Sequence, residues 1–150
     1  VHGARRIARP RLDEHDRLAA SDVMTITGER ENRGDDDEVE LVAVVDGKIV
    51  GSAGVAAVGS RRKVAHRARF GISVLKELWG MGIGRVLTEA CIDCARRAGY
   101  AQLELDVVAD NERAMSLYRR AGVVEYGRNP RGYWSSSTGF QELVHMRLEL

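Results

Sequence analysis

The sequence lacks the features that would assign it at once to a membrane, secreted or nucleic-acid-binding class. No apolar run approaches the roughly 20 residues of a membrane-spanning helix. The first residues, 1–6, lack the apolar core of a secretory signal. The net charge is only +1, which argues against nucleic acid or a membrane surface as an obligatory partner. We therefore expect a cytoplasmic protein that folds as one domain over 1–150.

Cysteine is also scarce. Cys91 and Cys94 are the two cysteines of the chain, and their C-x-x-C spacing raises a redox or zinc interpretation. Both fall within a helical pattern, and no second cysteine pair or nearby histidine completes a site. We interpret them as small apolar residues on a buried helix face and predict no metal.

The first 40 residues have the weakest pattern. Residues 5–12 fit a short edge strand interrupted by Pro10, and residues 13–20 fit a helix capped by Asp13. Residues 28–40 include three consecutive aspartates and are interpreted as a solvated, mobile loop. We expect an abbreviated or partly disordered N-terminal region over 1–40.

From residue 40 onward the pattern becomes regular. Residues 41–45 and 48–55 are apolar runs joined by Asp46-Gly47, a dipeptide that readily forms the two-residue turn of a β-hairpin. Apolar and polar residues alternate over 68–74, which predicts a further strand with one apolar face.

The remaining chain alternates between helices and strands. The pattern predicts a helix over 84–98, a strand over 103–107 and a second helix from Asn111 to Gly122. Strands over 123–126 and 140–148 follow, joined by a loop containing Tyr133 and Trp134. Helix residues predicted to face the core are Leu87, Ala90, Cys91, Cys94, Ala95, Ala98, Ala114, Leu117, Tyr118 and Ala121. This order of elements indicates an α/β or α+β fold.

The segment most informative about function is 70–85, which is interpreted as a strand, a glycine loop and a helix start. Gly80, Gly82 and Gly84 alternate, so the backbone can adopt conformations closed to other residues and present its N–H groups outward. The helix that follows begins with unpaired amides and the positive end of its dipole. This arrangement predicts a pyrophosphate site.

Two other phosphate-binding motifs fit less well. A dinucleotide-binding fold is suggested by Gly80-x-Gly82 and the downstream Asp106, but its third glycine would fall at Arg85. Residues 76–79 also separate the strand from the first glycine, where that motif needs almost none. The Gly-Lys-Ser/Thr of a phosphate-loop NTPase does not occur.

An ordered set of motifs carries a family resemblance. Ile72-Ser-Val74 is followed by Trp79-Gly-Met-Gly-Ile-Gly84 and then by Leu103-x-Leu105-x-Val107-x-x-x-Asn111-x-x-Ala114-x-x-Leu117-Tyr118-x-x-x-Gly122. This set resembles the GNAT superfamily of N-acetyltransferases from residue 41 to the C-terminus. The resemblance implies a mixed, mostly antiparallel central sheet, flanked by helices, whose fourth and fifth strands splay apart around acetyl-CoA.

The resemblance also implies an activity and a set of partners. An amine of a small molecule or peptide would attack the acetyl group directly in a ternary complex, and homodimers are common in the family. Trp79 departs from the family, which usually has arginine or glutamine there. The cofactor contacts implied are Ile72, Ser73, Val74, Trp79, Gly80, Met81, Gly82, Ile83, Gly84, Arg85, Asn111 and Tyr118.

For catalysis, the resemblance places Tyr118 near the thioester sulfur as a general acid. The base is less clear, because residues 61–76 contain no acid. His66, Glu104 and Asp106 are candidates, and a water chain is the alternative. Tyr133 and Trp134 could close over the acceptor, pack at a dimer interface or form an ordinary loop. A module that binds acetyl-CoA without catalysis is the second functional hypothesis.

Overall fold

The computed structural model describes residues 25–33 and 36–150. In this part of the chain, seven strands form one sheet and two α-helices are present. The strands are β1 Thr25–Arg33, β2 Asp36–Val45, β3 Lys48–Ala57, β4 Arg67–Val74, β5 Gln102–Val108, β6 Val124–Ser135 and β7 Gly139–Glu149, and the helices are α1 Ile83–Arg97 and α2 Glu112–Arg120. The strand predicted over 5–12 and the helix predicted over 13–20 lie outside the described residues.

The sheet has the strand order β1-β2-β3-β4-β5-β7-β6. Every neighbouring pair is antiparallel except β4 and β5, which are parallel. The predicted mixed, mostly antiparallel fold is therefore confirmed. A dinucleotide-binding fold is excluded, because it requires a mostly parallel, doubly wound sheet.

The hydrophobic core lies between one face of the sheet and the helices. Alternation in β5 places Leu103, Leu105 and Val107 in the core, and α1 packs across β2, β3 and β4. The buried residues of α1 are Ile83, Val86, Leu87, Thr88, Cys91, Ile92 and Ala95. Burial raises the pKa of Cys91 to about 12, so its thiol stays protonated. This environment supports a packing role for Cys91.

The turn between β2 and β3 has the predicted geometry. Asp46 and Gly47 have φ angles of 50° and 74°, the positive values that a two-residue type I′ turn requires at both positions. Val45 pairs with Lys48 across this turn. The predicted hairpin is confirmed.

The loop predicted over 28–40 is wrong. β1 extends to Arg33 and β2 begins at Asp36, and the two strands pair in register from Thr25↔Val44 to Arg33↔Asp36. A ladder of backbone hydrogen bonds does not depend on the polarity of the side chains it carries. The polar composition of residues 28–40 favoured a loop. The same composition is also compatible with a hairpin at the edge of a sheet, which is what β1 and β2 form.

The loop predicted around Tyr133 and Trp134 is also wrong. Both residues lie in β6, where Tyr133 pairs with Gln141 and Trp134 with Phe140. The pairing of β6 with β7 is irregular between Glu125 and Gly127 and between Asn129 and Tyr133. Glycine and proline in these irregular stretches interrupt the sequence alternation, so the strand is hidden in the pattern.

Candidate active site

The central feature of the site is the divergence of β4 from β5. The two strands pair at three positions, Arg67↔Gln102, Ala68↔Leu103 and Arg69↔Glu104. Beyond Arg69 the rest of β4, up to Val74, pairs with β3 and not with β5. One backbone edge of this segment therefore faces a gap in the sheet. Unpaired backbone N–H and C=O groups at such an edge are a template for an extended ligand.

Ile72, Ser73 and Val74 lie on the free part of β4. They pair with Ala53, Ser52 and Gly51 of β3, which fixes the strand from its other side. The side chain of Ser73 is exposed and those of Ile72 and Val74 are half-buried. These three residues are thus placed where their backbone can meet a ligand in the gap.

The glycine loop leads from the end of β4 into α1. Gly80 and Gly82 have φ angles of 82° and 83°, in the left-handed region that favours glycine. Gly82 is the N-cap of α1, and among the described residues no side chain caps the first N–H groups of that helix. These amides and the helix dipole leave a surface of positive partial charge at the loop.

Trp79 connects the loop to β4 and to α2. Its indole Nε1 donates a hydrogen bond of 2.9 Å to the carbonyl oxygen of Val74. The guanidinium carbon of Arg113, in the first turn of α2, lies 5.7 Å from the centre of the Trp79 ring system. A Cβ at Gly80 would lie 3.3 Å from Arg113 Nη1. The indole therefore holds a positive charge beside the loop, a contact that no local sequence signal predicted.

The other predicted loop residues differ in what they offer a ligand. The side chain of Ile83 is in the core, so only its backbone is available. Gly84 permits close packing of the helices, because a Cβ there would lie 3.2 Å from Leu117 Cδ2. Met81 is half-buried, and Arg85 is exposed with its Nε 3.8 Å from Glu89 Oε1.

Tyr118 lies on α2 with its ring against β4. It is 7% exposed, and its ring meets that of Phe70 edge-on, with centroids 6.0 Å apart. Phe70 is the first residue of β4 beyond the paired segment. Burial raises the pKa of Tyr118 to about 12, so the hydroxyl remains protonated at neutral pH.

Asn111 is the N-cap of α2. Its Oδ1 accepts a hydrogen bond of 3.2 Å from the backbone N–H of Ala114. This bond orients the side chain and leaves the amide Nδ2 as the group that could donate to a ligand.

The two base candidates His66 and Glu104 lie at the paired end of the strands. His66 precedes β4 in an exposed turn, and its carbonyl oxygen accepts hydrogen bonds from Ala101 and Gln102. About 20 Å of strand separates it from Ile72. Glu104 is 3% exposed and forms a two-bond ion pair with Arg67. These positions disfavour both residues as the base.

The Arg67–Glu104 pair predicts a pH-dependent stability. The hydrogen bond from Arg67 lowers the pKa of Glu104 below its ordinary value of 4.5, although burial opposes the shift. The stabilisation is therefore present above pH 4.5 and is lost as the pH falls through the lowered pKa. We expect Glu104→Gln to lower the melting temperature at pH 7 by about 5 °C, because Arg67 is left without its partner.

Thermal unfolding of both proteins between pH 7 and pH 3 tests this prediction. The difference in melting temperature should shrink as the pH falls below 4.5, since the wild-type carboxyl becomes protonated as the pH passes through its lowered pKa. Glu149→Gln is the control, because the Arg147–Glu149 pair is exposed and should contribute little. If the wild type and Glu104→Gln differ in melting temperature by the same amount at pH 3 and pH 7, the ion pair is not the cause of the difference.

Asp106, the third base candidate, lies on the splayed part of β5. Its Oδ1 is 2.6 Å from Nδ1 of His145 on β7, and its Oδ2 is 3.3 Å from Nη1 of Arg69. These side chains occupy the face of the sheet opposite the core, because Leu105, Val107, Val144 and Met146 alternate with them on the buried face. The sequence analysis did not identify His145. Alternation in β7 places it on a polar face, but its partner is set by the strand register.

No group of three or more His, Cys, Asp or Glu side chains among the described residues could hold a metal ion. In the same part of the chain, no helix is long and apolar enough to cross a membrane.

Comparisons with known proteins identify relatives of this chain. Residues 5–123 match the Acetyltransferase (GNAT) family. N-alpha-acetyltransferase 30 of Schizosaccharomyces pombe is 34% identical over 49% of each chain. Mycothiol acetyltransferase of Jonesia denitrificans is 40% identical over 39% of this chain and 18% of its own. This chain thus spans about half the length of the first curated relative and less of the second.

Solved structures share the fold. The acetyltransferase of the GNAT family from Streptococcus pneumoniae has a TM-score of 0.71 and 30% identity, over 75% of this chain and 67% of its own. Ribosomal-protein-alanine N-acetyltransferase from Brucella melitensis has a TM-score of 0.70 and 26% identity, over 75% of this chain and 69% of its own. A Salmonella typhimurium protein solved with its cofactor acetyl-CoA has a TM-score of 0.70 and 24% identity, over 75% of this chain and 65% of its own. With its family match, its splayed β4 and β5 and its glycine loop, this chain belongs to the GNAT acetyltransferase family.

Proposed function

We propose that this protein transfers the acetyl group of acetyl-CoA to a primary amine, which attacks the thioester directly while both substrates are bound. The observation that carries the proposal is the gap beyond Arg69 and Glu104, which opens beside the glycine loop. A cofactor with an extended arm and a diphosphate needs both features next to each other.

The residues of the gap and the loop fit acetyl-CoA. Backbone amides from Gly80 to Arg85 are proposed to bind the diphosphate, and the free edge of β4 to pair with the amides of the pantetheine arm. The guanidinium of Arg113 adds a positive charge next to the same loop. Asn111 has its Nδ2 available for the arm.

Tyr118 is proposed to assist departure of the sulfur. When the amine nitrogen bonds to the carbonyl carbon, the carbon–sulfur bond breaks and the sulfur leaves as a thiolate. A free thiol has a pKa of about 8.5, whereas that of Tyr118 is about 12. Complete proton transfer from tyrosine to thiolate would cost about 5 kcal/mol. We therefore assign Tyr118 the role of a hydrogen-bond donor that stabilises the developing thiolate.

A peptide α-amine is the acceptor class that we propose to test first. One curated relative is named an N-alpha-acetyltransferase, and one structural relative a ribosomal-protein-alanine N-acetyltransferase. The hairpin of β6 and β7 also carries exposed aromatic side chains, Tyr126, Tyr133, Trp134 and Phe140. Exposed aromatic rings on this hairpin suit the first side chains of a peptide better than a bare polyamine.

Release of free CoA thiol from acetyl-CoA tests the proposal. The panel should contain lysine-free peptides that begin with alanine or methionine, an N-terminally blocked peptide with one lysine, spermidine and a free amino acid. We expect amine-dependent thiol release, with the unblocked peptides as the best acceptors. Binding of acetyl-CoA without thiol release to any amine would identify the non-catalytic module instead.

A further inference from the structure

His145 and Asp106 form a pair on the face of the sheet opposite the core. Asp106 is on β5, which borders the gap between β4 and β5, and His145 lies one strand further from the gap, on β7. The two residues are directly opposite each other in the β5–β7 register, and Nδ1 lies 2.6 Å from Oδ1. A carboxylate can only accept a hydrogen bond, so Nδ1 of the imidazole carries the proton. The other ring nitrogen, Nε2, is then unprotonated and is a proton acceptor when the ring is neutral.

Arg69 determines which member of the pair can take a further proton. Its Nη1 lies 3.3 Å from the second oxygen of Asp106, so both carboxylate oxygens already accept hydrogen bonds from cationic or polar donors. Nε2 of His145 has no hydrogen-bond partner among the described residues. The geometry therefore favours the imidazole as the proton acceptor and the carboxylate as its support.

The pair and Tyr118 lie on opposite faces of the sheet. Tyr118 contacts Phe70 on the core face, whereas Asp106, on the splayed part of β5, and His145, beside it on β7, are on the other face. In an acetyl transfer, the amine approaches one face of the planar carbonyl group, whereas the departing sulfur lies in its plane, so the proton acceptor and the hydrogen-bond donor must act at separate positions. A proton acceptor on one face and a hydrogen-bond donor on the other match this requirement.

We infer that His145 is the general base of the acetyl transfer and that Asp106 is its positioning residue. This inference rests on the proposed function. Nε2 takes one proton from the amine, directly or through one water, as the nitrogen forms its bond to the carbonyl carbon. Asp106 holds the Nδ1–H tautomer and stabilises the imidazolium that results. The sulfur leaves with the electron pair of the broken bond.

The charged and titratable groups around His145 come from four strands. Asp106 of β5 faces it directly, and Arg69 of β4 reaches it through Asp106. Tyr126 of β6 has its ring centre 6.0 Å from that of the imidazole. Arg147 is two residues along β7 on the same face and bonds to Glu149. A pH profile of the reaction has to be interpreted against these neighbours.

Kinetics of three variants test the assignment, with an alanine-initiated peptide or the best amine of the panel as acceptor. His145→Gln should lower kcat/KM about 100-fold and remove the acid limb of its pH profile, because no imidazole remains to be deprotonated. Asp106→Asn should lower kcat/KM nearly as much as His145→Gln does. The double variant should lower it only slightly further, since the two residues act as one unit. Arg147→Gln, on the same strand and face, should leave kcat/KM within about 2-fold.

The alternatives give different results. Retention of the acid limb in His145→Gln, with loss of turnover only in Asp106→Asn, would make Asp106 the base and overturn the inference. Turnover equal to that of the wild type in both variants would also overturn it. Nitrogen NMR of His145 tests the pair without any amine substrate. We expect the neutral ring to be protonated at Nδ1 in the wild type, and the population protonated at Nε2 to increase in Asp106→Asn. A neutral ring protonated at Nε2 in the wild type would contradict the pairing even if the acetyl transfer itself were shown.

Discussion

Replacement of Tyr118 by phenylalanine should lower kcat about 100-fold or more while the Kd for acetyl-CoA changes by less than about 3-fold. The ring remains and can keep its edge-on contact with Phe70, so the fold and the cofactor site are preserved. Only the hydroxyl is lost, and with it the hydrogen bond to the developing thiolate. Thiol release under saturating amine gives kcat, and calorimetric titration with acetyl-CoA gives Kd.

Two further observations test the assignment of Tyr118. Tyr100 precedes the end of β5 that pairs with β4, so Tyr100→Phe removes a hydroxyl from a residue outside the splayed segment and should leave kcat unchanged. Because the pKa of Tyr118 is about 12, wild-type kcat should show no fall from tyrosine ionisation up to pH 10. Equal turnover of Tyr118→Phe and the wild type would remove Tyr118 from the reaction.

Replacement of Gly82 by valine should weaken acetyl-CoA binding about 100-fold or more. Gly82 has a φ of 83° at the start of α1, a conformation that a β-branched residue adopts only under strain. The relaxed loop would turn its amides away from the diphosphate. Loss of two hydrogen bonds to a charged group, about 1.5 kcal/mol each at the least, corresponds to a factor of about 100.

The matched control for Gly82→Val is Gly99→Val at the other end of α1. Gly99 has a φ of 88°, and a Cβ there would meet nothing within 4 Å. Both substitutions strain the backbone to a similar extent, so both should lower the melting temperature similarly. Only Gly82→Val should weaken acetyl-CoA binding. Comparable weakening by both variants would show that strain, and not loss of the loop amides, is the cause.

Features encoded in short stretches of sequence were predicted correctly. The Asp46-Gly47 turn depends on two residues whose positive φ angles are readily adopted there. The strand, glycine loop and helix over 70–85 follow one another closely in the chain, with one 3-10 turn at Lys76–Leu78 between strand and loop, so their order in space is their order in the chain. α1 begins one residue before the predicted position and α2 one residue after Asn111.

Features that depend on polar edges were predicted incorrectly. Polar residues around β1 and β2 indicated a loop, although pairing at the edge of a sheet tolerates polar side chains on both faces. β6 contains Gly127, Pro130 and Gly132, and its irregular register hides the strand that holds Tyr133 and Trp134. In both regions, pairing with a neighbouring strand decides the structure, and composition does not.

Long-range pairs could not be predicted from the sequence. Asp106 and His145 are 39 residues apart, and only the β5–β7 register makes them partners. The stacking of Arg113 on Trp79 similarly depends on how α2 packs against the loop. The assignments of Tyr118 and the cofactor contacts stay predictions, as do the homodimer and the cytoplasmic location.

We propose that acetyl-CoA occupies the gap between β4 and β5 with its diphosphate on the glycine loop. Titration of ¹⁵N-labelled protein with acetyl-CoA, followed by backbone amide shifts, tests it most directly. We expect the largest shifts at Ile72, Ser73 and Val74 and at the amides of 80–85. Shifts confined to other parts of the chain, or none at millimolar acetyl-CoA, would contradict the account.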